Sequence, residues 1–262
     1  MADFSQQNFD LTGKVAIVTG AGGRGNSIGR AYSVALANAG AAVVVADLNG
    51  EGAQTVAREI VASGGKALAQ QVDITDAASV KAMVAAATEA FGGVDILVNN
   101  AALMVEMGAS ATMTTSKAEF DKFIGVNVWG AINCAQAVAP SMTARGGGAI
   151  VNQVSAGAFP AQSLYGITKL ALAGATTTLA TELGSQKIRV NAIAPGMTRT
   201  DAGVSLTPED SPFVQSINAR CPIQPRDTPD ALCGALLLLV SEAGRWITGQ
   251  TVHVDGGWVM GY

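Results

Sequence analysis

The run KVAIVTG, with AGGRGNSIGRAYSVALANAG directly behind it, constrains the fold more than any other stretch of this chain. A short β-branched run that closes on glycine reads as a strand buried on both faces. The glycines then yield to helical spacing at Ile28, Ala31, Tyr32, Ala35 and Leu36, closed by Gly40. Strand, glycine turn and helix make the first half of a βαβ unit, and the second strand, AAVVVADL, carries Asp47 at its end.

The alternation continues along the chain. A helix from about Gly52 to Ser63 leads to the strand ALAQQVD, and a helix from Ala77 to Phe91 leads to VDILVNNA. A long helix from about Lys117 to Arg145 precedes GAIVNQVS; a helix from near Tyr165 to about Ser185 precedes KIRVNAIAPG. After a looser segment, Ala231 to Ser241 is helical and QTVHVDGG is the last strand. This pattern predicts an α/β fold: a single-domain, Rossmann-type, doubly wound sheet of seven mostly parallel strands with helices on both faces. No linker or repeat interrupts the 262 residues. Ligands in such sheets bind beyond the carboxyl ends of the strands, which gathers Gly20 to Gly29, Asp47, Asp73, Asn99 to Ala101, Ser155 and Pro195 to Thr200 on one edge.

Composition narrows the partners. A net charge of −4 gives no general attraction for nucleic acid or an anionic membrane, so a small molecule is expected. The three cysteines are widely spaced and the chain has one histidine, which disfavours a disulfide framework or a structural zinc site and fits a reducing cytoplasm. The start lacks the basic and apolar regions of a secretion signal. The apolar run ALCGALLLLV is too short to span a bilayer and reads as a buried helix.

Two groups of residues carry chemistry. In TGAGGRGNSIG the glycines let the backbone approach a pyrophosphate, and the helix behind them presents free N–H groups. Asp47 is placed to accept hydrogen bonds from ribose hydroxyls and to repel a 2′-phosphate, favouring NAD; Arg24 is the one residue that argues for NADP. Without a ligand, the same features are a tight turn and a helix cap. In the second group, Tyr165 and Lys169 are four residues apart and share a helix face. A phenol with a pKa near 10 is a poor base at neutral pH, and the expectation is that the Lys169 cation lowers it. Ser155 just upstream is placed to hold a substrate oxygen. A Tyr and a Lys on one helix face are otherwise an ordinary surface pair.

Together, TGAGGRGNSIGRA, Asp47, VDI at 72–74, NNAA at 99–102, VNV at 126–128, Ser155, YGITK, RVNAIAPG and ITGQTVHVDGG resemble the short-chain dehydrogenase/reductase family over essentially the whole chain. The resemblance implies Tyr165 as general acid/base, Lys169 as its electrostatic partner and ribose anchor, Ser155 as substrate-oxygen donor, and Asn127 in a proton relay. It implies cofactor contacts from Gly20, Arg24, Asn26, Ser27, Ile28, Gly29, Asp47, Leu48, Asp73, Ile74, Asn99, Ala101, Pro195, Gly196, Thr198 and Thr200, besides Tyr165 and Lys169. Three features depart from the family pattern. The glycine turn is long, with Ser27 where a glycine is usual; NNAA replaces NNAG; and Ser155 lies ten residues before Tyr165, closer than is common.

These readings converge on hydride transfer between NAD(H) and a secondary alcohol or ketone. Residues 103–113 and a lid at about 197–225 are expected to form the pocket, with Leu103, Met104, Met107 and Met197 making it apolar and suited to cyclic, aromatic or steroid-like substrates. The sole histidine, His253, is expected to be structural. Small residues such as Ala171, Gly174 and Ala175 suit close helix packing, and the resemblance implies a homo-oligomer, a dimer or a tetramer. One alternative is a 3-oxoacyl thioester reductase that uses NADPH and an acyl-carrier partner. Another, of a different class, is a non-catalytic dinucleotide-binding regulator.

Overall fold

In the computed structural model, residues 5–23, 25–104, 112–160, 163–223 and 226–260 are described. The strands are β1 (Val15–Thr19), β2 (Ala42–Asp47), β3 (Lys66–Gln71), β4 (Ile96–Asn99), β5 (Gly148–Gln153), β6 (Ile188–Pro195) and β7 (Thr251–Val254). They form one sheet in the order β3-β2-β1-β4-β5-β6-β7, and every pairing is parallel. The order reverses between β1 and β4, so a crevice opens at the carboxyl end of the sheet.

Two helical layers bury the sheet. On one face lie α1 (Ile28–Asn38), α2 (Gly50–Ala62) and α9 (Cys233–Val240), whose Tyr32, Leu36, Val56, Leu236 and Leu239 pack on Ala16, Val18, Val43 and Val151. On the other lie α3 (Ala77–Phe91), α5 (Gly130–Ala144) and α6 (Leu164–Leu183), with Met83, Val138, Met142 and Leu179 against Ile17, Val44 and Leu97. Successive residues of β1 enter opposite layers, which is why all five are apolar or small and all five are buried. Truncating a residue such as Ile17 to alanine there costs about 2–5 kcal/mol.

The expected long helix over 117–145 is broken. It comprises α4 (Lys117–Ile124), a π-helical turn at Gly125–Trp129, and α5. The wide turn places Asn127, only 1% exposed, so that it donates to Leu103 O at 3.0 Å and to Thr168 Oγ1 at 3.0 Å and accepts from Leu103 N at 2.7 Å. These side-chain bonds bind the turn to its neighbours, α6 among them.

The looser segment after β6 carries two short helices, α7 (Asp201–Leu206) and α8 (Pro212–Asn218). Its ends are clamped by Glu209, which pairs with Arg199 at 3.2 Å and Arg226 at 2.9 Å, while Arg226 also donates to Thr207 O at 3.0 Å. No helix among the described residues is long and apolar enough to cross a membrane.

Candidate active site

The glycine turn between β1 and α1 is built for close approach. Gly20 has φ +65°, and a Cβ there would stand 2.6 Å from Ala101 Cα. A Cβ on Gly22 would stand 2.5 Å from Ala53 N, and one on Gly29 would run into Gly20 O. Ser27, in place of the usual glycine, is the N-cap of α1, its hydroxyl accepting from Arg30 N at 3.4 Å. Ile28 opens α1 and packs on the core beneath the sheet edge. Arg24 lies outside the described residues.

Asp47 closes β2 beside this turn. Its Oδ2 accepts from Gly22 N at 2.8 Å and its Oδ1 from Asn49 N at 2.8 Å, leaving lone pairs on both oxygens. The cap of α2 is Asn49, which accepts from Gly52 N, so Asp47 is not held there as a helix cap. Leu48 next to it is 67% exposed.

Three positions named for cofactor contact have side chains with partners or packing contacts inside the fold. Asp73 is exposed, but its Oδ1 accepts from both the amide and the hydroxyl of Thr75. Ile74 is buried under Gly130, where a Cβ would meet its Cδ1 at 2.5 Å. Asn99 is buried and donates to Asn152 Oδ1 at 2.9 Å and Ala131 O at 3.2 Å. Packing holds Ile74, and two hydrogen bonds hold the Asn99 amide nitrogen, while Asn99 Oδ1 is buried without a partner. Asn100 instead bridges to Thr19 O and Gly20 O, both at 2.9 Å, fixing Ala101 against the glycine turn. Among the described residues Lys187 is the one non-glycine with positive φ, so alanine at 102 is unstrained.

The candidate reactive groups stand across the crevice. Ser155 follows β5, and its hydroxyl accepts from Gly157 N at 3.1 Å and hydrogen-bonds the Tyr165 phenol. Serine ten residues upstream of the tyrosine therefore still meets it. Tyr165 enters from the first turn of α6, which Ser163 caps by accepting from Gly166 N. Lys169, one turn on, is 1% exposed; its Nζ lies 5.7 Å from the Tyr165 ring centroid and donates to Gln153 O at 2.7 Å.

The electrostatics correct one expectation. Burial pushes the Tyr165 phenol up to about 12, only partly opposed by Ser155, where a lowered value was expected. Burial likewise pulls Lys169 down to about 7. Spacing along a helix brings the two side chains together, but burial is the leading cause of both shifts.

Past β6, Pro195 ends the strand and Gly196 lies so close to β7 that a Cβ would stand 2.7 Å from Asp255 Cα. Thr198 Oγ1 approaches Gly196 O at 3.4 Å, and Thr200 caps α7 by accepting from Gly203 N at 2.8 Å. The segment also reaches back to the glycine turn: Asn26 N donates to Asp201 Oδ2 at 3.1 Å, Asp201 N to Asn26 O at 3.2 Å, and Asn26 Nδ2 to Arg199 O at 3.3 Å. Beneath it is a cavity of about 210 Å³ bordered by Gly196, Met197, Cys221, Leu232 and Val254. Met107 and its neighbours at 105–111 lie outside the described residues. His253 packs against Phe159 with ring centroids 4.7 Å apart and the rings tilted by 47°.

Sequence reasoning passed over Gln153 and Thr168, which hold Lys169 and Asn127 in place. Gln153 holds Lys169 through its backbone carbonyl, which any residue would supply, so neither role had a visible signal in the sequence.

A family model described as "Enoyl-(Acyl carrier protein) reductase" matches residues 23–259. The chain is 47% identical over 247 residues to an uncharacterized oxidoreductase of Mycobacterium tuberculosis, covering 94% of this chain and 98% of that one. It is 36% identical over 251 residues to the 3-oxoacyl-[acyl-carrier-protein] reductase of Staphylococcus aureus, covering 94% and 98%. Among solved structures, a 7α-hydroxysteroid dehydrogenase complexed with NADH and 7-oxo glycochenodeoxycholic acid superposes with a TM-score of 0.90 at 36% identity, covering 97% and 98%. The chain belongs to the short-chain dehydrogenase/reductase family, and it is an oxidoreductase of that family. Members bind a nicotinamide dinucleotide. The residues here fit such a group: glycines cleared for close approach, an acid with free lone pairs at the end of β2, and an unpartnered buried acceptor, Gln153 Oε1.

Proposed function

We propose that the protein transfers a hydride between NAD(H) and an apolar secondary alcohol or ketone, cyclic, aromatic or steroid-like. The observation that carries this reading is the meeting of Ser155, Tyr165 and Lys169 across the crevice from the glycine turn and Asp47. A bound nicotinamide supplies the hydride acceptor in oxidation and the donor in reduction. In oxidation Tyr165 takes the hydroxyl proton, and in reduction it returns one to the carbonyl oxygen. Ser155 holds that oxygen through its hydroxyl. Ionising a phenol that rests near 12 needs positive charge beside it, and Lys169 Nζ, 5.7 Å from the ring centroid, is the chain's cation placed to give it. Asn127 orients the backbone of Leu103 and the hydroxyl of Thr168 on the route by which the proton leaves.

Asp47 supports NAD, its free lone pairs suiting ribose hydroxyls and its charge opposing a 2′-phosphate. The apolar substrate class is supported by half-exposed Phe159 and by Trp258, whose ring approaches Gly157. Exposed Phe120, Trp129 and Leu170 on α4, the π-helical turn and α6 support a homo-oligomer built on that face. A monomeric mass by light scattering would refute the oligomer.

The test is cofactor reduction by NAD⁺ and NADP⁺ with a panel of cyclic, aromatic and steroid alcohols. Turnover of such an alcohol with NAD⁺ is expected. The 36% identity to a 3-oxoacyl thioester reductase favours a second reading, in which NADPH reduces such thioesters. Activity confined to those substrates would replace the first reading, and dinucleotide binding without any turnover would leave a regulator.

A further inference from the structure

Gln153 is the last residue of β5, two positions before Ser155. It is 8% exposed, and its Oε1 is buried with no hydrogen-bond partner. Its neighbour Asn152 is fully employed, donating to Thr176 Oγ1 at 2.9 Å and accepting from Asn99 Nδ2 at 2.9 Å. Buried acceptors are nearly always paired, so Gln153 stands out, together with Asn99 on the adjacent strand, whose Oδ1 is likewise without a partner.

Strand alternation says where the side chain goes. Val151 packs with Tyr32, Leu36, Leu236 and Leu239 on the face of α1 and α9, whereas Asn152 points to α6. Gln153 returns to the face of Val151. It pairs in register with Ile193 of β6, which shares a cluster with Ile28 at the start of α1. The amide thus lies between the glycine turn and the strand that runs into Pro195 and Gly196, below the edge where Ser155 and Tyr165 emerge. Its backbone carbonyl faces the other way and holds Lys169.

We propose that the Gln153 side chain is a further positioning contact for the cofactor, its Oε1 accepting an N–H of the nicotinamide carboxamide. The inference rests on the dinucleotide reading of the cleft. The carboxamide carries the N–H donors of the nicotinamide ring; of the two unmatched amide acceptors at these strand ends, Asn99 Oδ1 belongs to a side chain tied to Asn152 and Ala131, whereas Gln153 Oε1 lies on the strand that delivers Ser155. Gln153 touches the cofactor and takes no proton; its effect on rate comes through the angle at which the ring is held.

The experiment compares binding of NAD⁺ with that of ADP-ribose, which keeps both phosphates and both riboses but lacks the nicotinamide. Gln153→Met preserves length and removes the amide. Its NAD⁺ dissociation constant is expected to rise about tenfold, the loss of one well-made hydrogen bond, while that for ADP-ribose stays within about twofold. Removing an unmatched buried acceptor is expected to leave the thermal midpoint of the cofactor-free protein equal or higher, which a merely structural role would not do. Gln153→Glu, which keeps an acceptor at the same length, is expected to retain the preference for NAD⁺ over ADP-ribose. Equal weakening of both ligands by Gln153→Met, or no change in either, overturns the inference alone. Wild-type protein that binds neither ligand overturns the dinucleotide reading as well.

Discussion

Lys169 Nζ rests 2.7 Å from the carbonyl oxygen of Gln153, and this places a cation inside the protein with an amide oxygen as its recorded partner. Lys169 therefore carries a desolvation cost in the folded protein. Its pKa is pulled from 10.5 to about 7 by burial, so the unfolded chain holds the proton more tightly than the folded one. The resulting cost is absent above pH 10.5, grows as pH falls toward 7, and is constant below. Lys169→Met is expected to abolish activity yet stabilise the cofactor-free protein by several kcal/mol at pH 7, and by much less at pH 10. Urea midpoints across that range measure the gap; a gap that does not change with pH contradicts the argument.

Tyr165→Phe removes the hydroxyl and keeps the ring. Turnover is expected to fall by about 10²–10⁴-fold, with NAD⁺ binding changed by less than about threefold. Because burial raises the phenol from 10.0 to about 12, wild type also draws stability from it that is present below pH 10 and lost as pH rises toward 12. The Phe variant should lack that alkaline loss. Comparable turnover by the two proteins would exclude Tyr165 as the acid/base.

Asp47→Ala should weaken NAD⁺ binding by about tenfold to a hundredfold and narrow the preference for NAD⁺ over NADP⁺. It also frees the Gly22 N–H that the carboxylate now accepts. Fluorescence titration with both cofactors decides the matter: parallel weakening of the two would mean that Asp47 only shapes the turn.

Asn127→Leu strips partners from both polar groups of Leu103 and from Thr168. We expect a loss of about 2–4 kcal/mol in urea stability, more than a single hydrogen bond, because buried backbone groups are left unmatched. A loss under about 1 kcal/mol would show that the π-helical turn closes without them.

Asp201→Ala cuts the carboxylate that Asn26 holds at 3.1 Å. Limited proteolysis within 201–220 should become several-fold faster, and cofactor dissociation faster with it, while the urea midpoint moves by less than about 1 kcal/mol. Unchanged cleavage would mean the Glu209 clamp alone secures the segment.

Much of this architecture was readable from residue patterns because its determinants are local. β-branched runs, glycine closures and helix caps fix β1, α1 and α3 within a few neighbours, and a glycine turn followed by an acid at the end of β2 locates the crevice. The π-helical turn at Asn127 was not readable: its cause is a set of hydrogen bonds to Leu103 and Thr168, and the helical periodicity runs straight through it. The same holds for Asn26 and Asp201, 175 residues apart, which no spacing rule connects. Lys169 misled for another reason. Sequence gives the distance between two charges along a helix, but the sign of the net effect on Tyr165 depends on how much water the completed fold removes.

The order of strands also sets a timetable. β3, β2, β1 and β4 are contiguous in the sheet and all lie within the first 99 residues, so a nascent chain can assemble the glycine turn and Asp47 early. Ser155, Tyr165 and the span that Asp201 latches onto Asn26 emerge from the ribosome afterwards. The glycine turn therefore precedes, in order of synthesis, the aspartate that binds it, with α8, α9 and β7 still to follow.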